Sequence, residues 1–157
     1  MNLNFIDNHN KQFILFDMDG VLAEYVAGEE VAICNNVDGV YINKRPLKTM
    51  IKLAEDLSMK DNITVGVLSS CEYKNQEKEK LDWLQQYAPF IDKTNIYIII
   101  WSEENYTRET RKNAKLEVVE TIKGYDKIFL IEDRHDIIKT TNAKLPGVAH
   151  HISELIE

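Results

Sequence analysis

Apolar residues along this chain come in two rhythms. Unbroken runs at Phe13-Ile14-Leu15-Phe16, Ile63-Thr64-Val65-Gly66-Val67-Leu68, Ile96-Tyr97-Ile98-Ile99-Ile100-Trp101, Lys127-Ile128-Phe129-Leu130-Ile131 and Val148-Ala149-His150 read as strands buried on both faces. Between them the spacing turns helical. Pro46 opens a stretch with Leu47, Met50, Ile51, Leu53, Ala54 and Leu57 on one side, since its missing N–H suits a helix start. A charged helix over about 75–87 carries Leu81, Trp83 and Leu84 inward and ends before Pro89. A third, over about 114–123, carries Leu116, Val118, Val119 and Ile122 and stops at Gly124. A short helix over about 137–143 precedes the last strand, and Ile152–Ile156 reads as one helical turn. Strands alternating with helices, each strand almost wholly apolar, predict an α/β fold: a doubly wound parallel sheet covered on both faces.

In such sheets ligands bind at the carboxyl ends of the strands. The first strand, predicted over 13–17, runs into Asp17-Met18-Asp19-Gly20, two carboxylates one residue apart followed by a glycine that permits a sharp bend. Both carboxylates could then face one pocket, with the Met18 carbonyl between them, an oxygen-rich set that suits a hard cation such as Mg²⁺. An Asp carboxylate can also attack phosphorus. Two Asp residues beside a glycine can equally be a capped turn, so the other strand ends decide. The second strand ends at Ser69-Ser70, where a hydroxyl and neighbouring N–H groups could hold a phosphate oxygen. The fourth ends in Glu132-Asp133 with Asp136 close behind, a second acidic cluster that needs a cation if it meets the first. Lys115, at the start of the helix before strand four, could neutralise a nucleophilic Asp and a phosphate together. Residues 23–45 are irregular, with turn signals at Asn35-Asn36 and Asp38-Gly39, and predict a small flap or hairpin over this end of the sheet.

Composition narrows the class. A chain of 157 residues with 44% hydrophobic and 29% charged residues fits one globular domain, residues 1–157, with the flap as an insert. The net charge of −7 argues against passive binding of a nucleic-acid backbone but leaves a nucleotide substrate open. Cys34 and Cys71, with no metal-type spacing, read as reduced thiols of a cytoplasmic protein. No apolar run approaches the roughly 18 residues of a membrane span, and the polar start Met1-Asn2-Leu3-Asn4 is not a signal peptide.

Asp17-Met18-Asp19-Gly20-Val21-Leu22, Val65 to Ser69, Lys115, and Ile131-Glu132-Asp133 with Asp136 together resemble the four motifs of the haloacid-dehalogenase-like (HAD) phosphohydrolases, from end to end of the chain. Within that superfamily the segment Asp17 to Ala23, the flap ending Gly39-Val40-Tyr41, and Glu77-Lys78-Glu79-Lys80 before Trp83-Leu84 look most like small 5′-nucleotidase-type members with a minimal cap. The resemblance implies a Rossmannoid fold and a Mg²⁺-dependent phosphatase acting on a small phosphomonoester, with a nucleotide among the candidates. Asp17 would be the nucleophile that forms an aspartyl-phosphate, and Asp19 the acid and then the base. Asp17, Met18 and Asp133 would ligate Mg²⁺, with Asp19, Glu132 and Asp136 in the same metal set. Ser69, with Ser70, Gly20 and Lys112 near it, would bind phosphate, and Lys115 the transferring group. Lys112, Arg111 and Lys115 all lie where the third motif belongs, and Lys115 is chosen by its offset from Val118 and Val119.

Other residues read as ordinary. His135, His150 and His151 lack ligand spacing, and Trp83 and Trp101 read as core. Tyr25, Tyr41 and Arg45 could touch a substrate or simply pack. So small a flap leaves the site open or closed by a partner subunit, which keeps a homo-oligomer and a macromolecular substrate among the expectations. A phosphoacceptor signalling module also combines acids, a hydroxyl and a lysine on an α/β sheet. Its acceptor Asp ends a central strand, however, whereas here Asp-x-Asp-Gly ends the first. A phosphate-binding regulatory module without turnover is the remaining alternative, and the intact Asp19 speaks against it.

Overall fold

A computed structural model of the protein describes residues 4–107 and 109–156. The polar opening Met1–Leu3 lies outside them, as does Arg108 within the predicted loop.

Five strands form one parallel sheet: β1 (Gln12–Phe16), β2 (Ile63–Cys71), β3 (Ile96–Ile100), β4 (Lys127–Glu132) and β5 (Ala149–His151), in the order β3-β2-β1-β4-β5. The helices are α1 (Glu29–Cys34), α2 (Lys48–Ser58), α3 (Lys74–Tyr87), α4 (Arg111–Thr121), α5 (His135–Lys144) and α6 (Ser153–Ile156). The doubly wound α/β architecture expected from the pattern is the one observed.

β1 sits at the centre, paired along its whole length with β2 (Phe16 opposite Val67) and with β4 (Phe16 opposite Ile131). Its side chains alternate between two cores, as period-two geometry requires. Ile14 and Phe16 pack with Met50, Leu53 and Leu57 of α2 and Trp83 and Leu84 of α3. Phe13 and Leu15 pack with Ala114 and Val119 of α4 and Ile137 of α5. From Phe13 to Phe16 the strand is buried on both faces and wholly apolar, so its first carboxylate appears just past its carboxyl end.

Two boundaries and one buried face differ from the sequence reading. β2 continues through Ser69-Ser70-Cys71 because β3 pairs with that stretch, Ser69 opposite Ile98 and Cys71 opposite Ile100. α4 begins at Arg111, which brings Lys112 and Lys115 onto one helix. On α3 the buried positions are Gln76, Lys80, Trp83 and Leu84, whereas Leu81 is exposed.

Residues 23–45 carry one short helix, α1, and no hairpin. They are tied down on α3. The Glu79 carboxylate accepts the N–H groups of Gly39 (2.7 Å) and Tyr41 (2.9 Å), and Gln76 Nε2 donates to the Ile33 carbonyl (2.9 Å). Carboxylates bind backbone N–H groups about twice as strongly as neutral acceptors do, so Glu79 is a firm anchor. No helix among the described residues is long and apolar enough to cross a membrane.

Candidate active site

Asp17 directly follows β1, with its N–H donating to the Ile131 carbonyl (2.9 Å). The chain then turns tightly, because the N–H groups of Leu22 (2.9 Å) and Ala23 (2.8 Å) both donate to the Met18 carbonyl. That carbonyl also lies 3.3 Å from the Val21 N–H. The Met18 carbonyl, expected as a metal ligand, thus holds the turn together. Gly20 makes the turn at φ +73°, and a Cβ there would lie 2.2 Å from Asp133 Oδ2. The glycine thus lets the loop after β4 close over the loop after β1.

Two charge clusters result, one around each aspartate. Asp17 Oδ2 lies 2.8 Å from Lys115 Nζ, which also donates to Glu132 Oε2 (2.6 Å). Asp17, Glu132 and Asp133 each present a carboxylate oxygen within 4.8 Å of the others. Burial raises the Asp17 pKa to about 6; Lys115 opposes this, while Glu132 and Asp19 add to it. Asp133 is likewise raised, chiefly by burial. Lys115 is raised, because Asp17 and Glu132 outweigh its own burial. Three acidic groups sharing one lysine retain negative charge in a low-dielectric place, which suits a hard cation. Glu132 is the least available of the three for it. Its Oε1 accepts the N–H groups of Asp133 and Arg134, so it organises the loop and Lys115.

Asp19 faces other partners. The Lys80 ammonium donates to its Oδ2 and to Ser69 Oγ (2.9 Å), and the Lys44 ammonium stands 2.9 Å from its Oδ1. Burial alone would raise Asp19, yet Lys80 and Lys44 hold it below the ordinary carboxylate value. Two aspartates in one turn are thus driven in opposite directions, a usual sign of divided chemical roles.

The acids open onto a cavity of about 560 Å³, lined among others by Asp17, Asp19, Lys115, Asp133 and Ser70. Ser69 does not line it. Ser69 points into the protein toward Lys80, so of the two serines it is Ser70 that borders the open space. Lys112 is exposed on α4 and does not border the cavity either, which removes it from the expected phosphate-binding set. Asp136 is paired with Arg134 (2.7 Å) at the surface, and Asp19 with its two lysines, so neither belongs to the acidic trio. Trp83 is core as read, with its Nε1 donating to the Lys44 carbonyl (2.8 Å). Trp101 is not wholly core. It borders the cavity, with the Arg111 guanidinium 4.9 Å from its ring centre and held in turn by Glu72 (2.9 and 3.0 Å). His135 and His151 stack on each other, and His150 pairs with Glu154 (2.9 Å).

Sequence reasoning missed Lys44 and Lys80. A signal for Lys80 exists, since positions 76, 80, 83, 84 and 87 repeat at helical spacing, which puts a lysine on the apolar stripe of α3. A fully buried lysine must have an acidic partner. Nothing in the sequence marks Lys44.

No protein-family model matches the sequence, and no curated protein does. Solved structures do match in shape. A chain from the structure titled Pnkp1/Rnl/Hen1 complex superposes with a TM-score of 0.68 at 16% identity, over 92% of this chain and 47% of that one. A chain of the Pnkp1/Rnl/Hen1 RNA repair complex gives 0.64 at 18% identity, over 92% and 43%. The protein thus spans less than half the length of either. The HAD domain of effector protein Lem4 from Legionella pneumophila gives 0.56 at 15% identity, over 90% of this chain and 84% of that domain. The five-stranded parallel sheet flanked by helices and the superposition on the Lem4 HAD domain show that the chain shares the α/β fold of that domain.

Proposed function

We propose that this protein is a Mg²⁺-dependent phosphatase that hydrolyses a small phosphomonoester through an aspartyl-phosphate on Asp17. One observation carries the reading. At the carboxyl ends of two adjacent parallel strands, Asp17 and Asp133 meet beside a buried lysine, with a second, separately held aspartate two residues after the first. The donor set is all oxygen, with Asp17 and Asp133 the residues that would hold the cation. When bound, Mg²⁺ neutralises charge on the transferring phosphoryl group and on the attacking carboxylate. Lys115 contributes a second positive charge on the same side. Asp17 attacks phosphorus, the bond from phosphorus to the ester oxygen breaks, and that oxygen takes a proton from Asp19. Asp19, held as a carboxylate by Lys44 and Lys80, then takes a proton from the water that cleaves the aspartyl-phosphate.

One of the similar chains comes from an RNA repair complex, so a phosphorylated RNA oligonucleotide belongs among the substrates tried. The test is phosphate release from an aryl phosphate, a panel of nucleoside monophosphates and that oligonucleotide, with and without Mg²⁺, for the wild type and Asp17→Asn. Metal-dependent turnover that disappears in Asp17→Asn is expected. Activity that survives this substitution, or none with any substrate, would overturn the proposal.

A further inference from the structure

The flap contributes more than a wall to this site. Lys44, at its end, extends a side chain that is only 2% exposed toward the DxD turn, 2.9 Å from Asp19 Oδ1. Its other partners belong to the flap and to the chain leading into it: Glu29 Oε1 at 2.6 Å and the Glu24 carbonyl at 3.3 Å. Lys80 grips the other Asp19 oxygen from α3 and has no exposure at all. Neither lysine lines the cavity, whereas Asp19 does, with 24% of its side chain exposed. The two ammonium groups therefore hold Asp19 from behind and leave its open edge toward the space where a phosphoryl group would react. A carboxylate hydrogen-bonded at Oδ2 by Lys80 and ion-paired at Oδ1 by Lys44 is restrained from rotating about its Cβ–Cγ bond, and a carboxylate oxygen has lone-pair capacity left for a further partner.

We propose that Lys44 is a positioning residue for Asp19: the flap fixes the orientation of the carboxylate that removes the proton from the attacking water. The proposal rests on the phosphatase reading. In the step concerned, the water oxygen bonds to phosphorus, the bond between phosphorus and the Asp17 oxygen breaks, and the released proton goes to the Asp19 carboxylate. Inorganic phosphate leaves and Asp17 is regenerated. Formation of the aspartyl-phosphate from an aryl ester with a good leaving group needs no proton from Asp19. Loss of Lys44 should therefore slow the second half-reaction and spare the first.

The experiment is an acid-quenched time course on the full chain with a ³²P-labelled aryl phosphate and Mg²⁺, following bound phosphoenzyme and free phosphate together. Lys44→Met should keep a wild-type rate of phosphoenzyme formation, hydrolyse it about tenfold or more slowly, and so accumulate it, since general-base assistance is generally worth 10²–10⁴-fold and Lys80 remains in place. Lys44→Arg, which retains a cation, should restore at least part of the hydrolysis rate. Lys52→Met removes an exposed lysine of α2 that pairs only with Glu55 and Asp56, and should leave both rates at the wild-type value. A role limited to holding the fold would slow both half-reactions in Lys44→Met, leave no accumulated phosphoenzyme, and overturn the proposal. So would a Lys52→Met protein that behaves like Lys44→Met. A wild type with no metal-dependent activity would remove the phosphatase reading and this proposal together. An active wild type whose Lys44→Met variant shows an unchanged ratio would remove this proposal alone.

Discussion

Gly20→Ala tests the geometry of the candidate metal set most directly. Two effects of the added methyl can be separated. The residue has φ +73°, where an L side chain costs about 1–2 kcal/mol. For a chain of this size that is a fall in Tm of about 2–8 °C. The new Cβ would also lie 2.2 Å from Asp133 Oδ2 and 2.6 Å from its Cγ, so the carboxylate must retreat by about 1 Å or more to regain ordinary contact. Asp133 is a short side chain and can swing, which keeps the steric cost to folding low. Mg²⁺ demands near-ideal oxygen geometry at about 2.0–2.1 Å, so the same retreat should weaken the cation about tenfold or more. The assay is thermal melting across a MgCl₂ series. Stabilisation follows RT ln(1 + [Mg²⁺]/Kd), so at saturating metal a tenfold weaker site loses about 1.4 kcal/mol of it. Gly124→Ala provides the control. That residue has φ +86° with nothing within 4 Å of an added methyl, so it should share the loss of Tm and keep the wild-type metal response. A Gly20→Ala protein with the same Mg²⁺ titration as Gly124→Ala would refute the placement of Asp133 at a metal site.

Three further outcomes are expected. Lys80→Met strips a buried partner from Asp19 and Ser69 and should cost about 2–4 kcal/mol in denaturant unfolding, less than a fully buried pair because Asp19 keeps Lys44; Asp19→Asn in the same background should recover part of it, and strict additivity would contradict the coupling. Glu79→Gln replaces the carboxylate that anchors the flap, so the amides of Gly39 and Tyr41 should exchange hydrogen about tenfold faster while those of β1 do not change. Because burial raises the Asp17 pKa to about 6, above its unfolded value of 3.8, its protonation favours the folded metal-free state, and that contribution is lost as pH rises through about 6. Protons and metal then compete, so the Mg²⁺-induced rise in Tm should be large at pH 7.5 and much smaller at pH 5; equal rises would refute the coupling.

The fold was legible because its strands are buried on both faces. Phe13 to Phe16 and Ile128 to Ile131 admit no polar residue, so the places where carboxylates appear mark the sheet's carboxyl edge. The same logic made Asp17 and Asp133 readable as neighbours across β1 and β4. The reading lost accuracy where a side chain's direction depends on a partner distant in sequence. Ser69 and Ser70 are adjacent and chemically alike, and only the pairing of β2 with β3 decides which one faces the cavity. The Met18 carbonyl was read as a possible ligand, and its bonds to the N–H groups of Leu22 and Ala23 depend on a turn that the sequence alone does not draw. Lys44 is recruited across the flap by Asp19 and Glu29, residues 25 and 15 positions earlier, and no local pattern records such a contact.

The central position of β1 also has a consequence for synthesis. Asp17 is translated more than ninety residues before Lys115, Glu132 and Asp133, and β4 must pair with β1 before the trio exists. During translation the amino-terminal half can neither gather the acidic trio nor share its charge with Lys115. A nascent chain that has not yet released β4 from the ribosome therefore carries an aspartate without its chemistry, and the site comes into being in one late step, with the closing of the sheet.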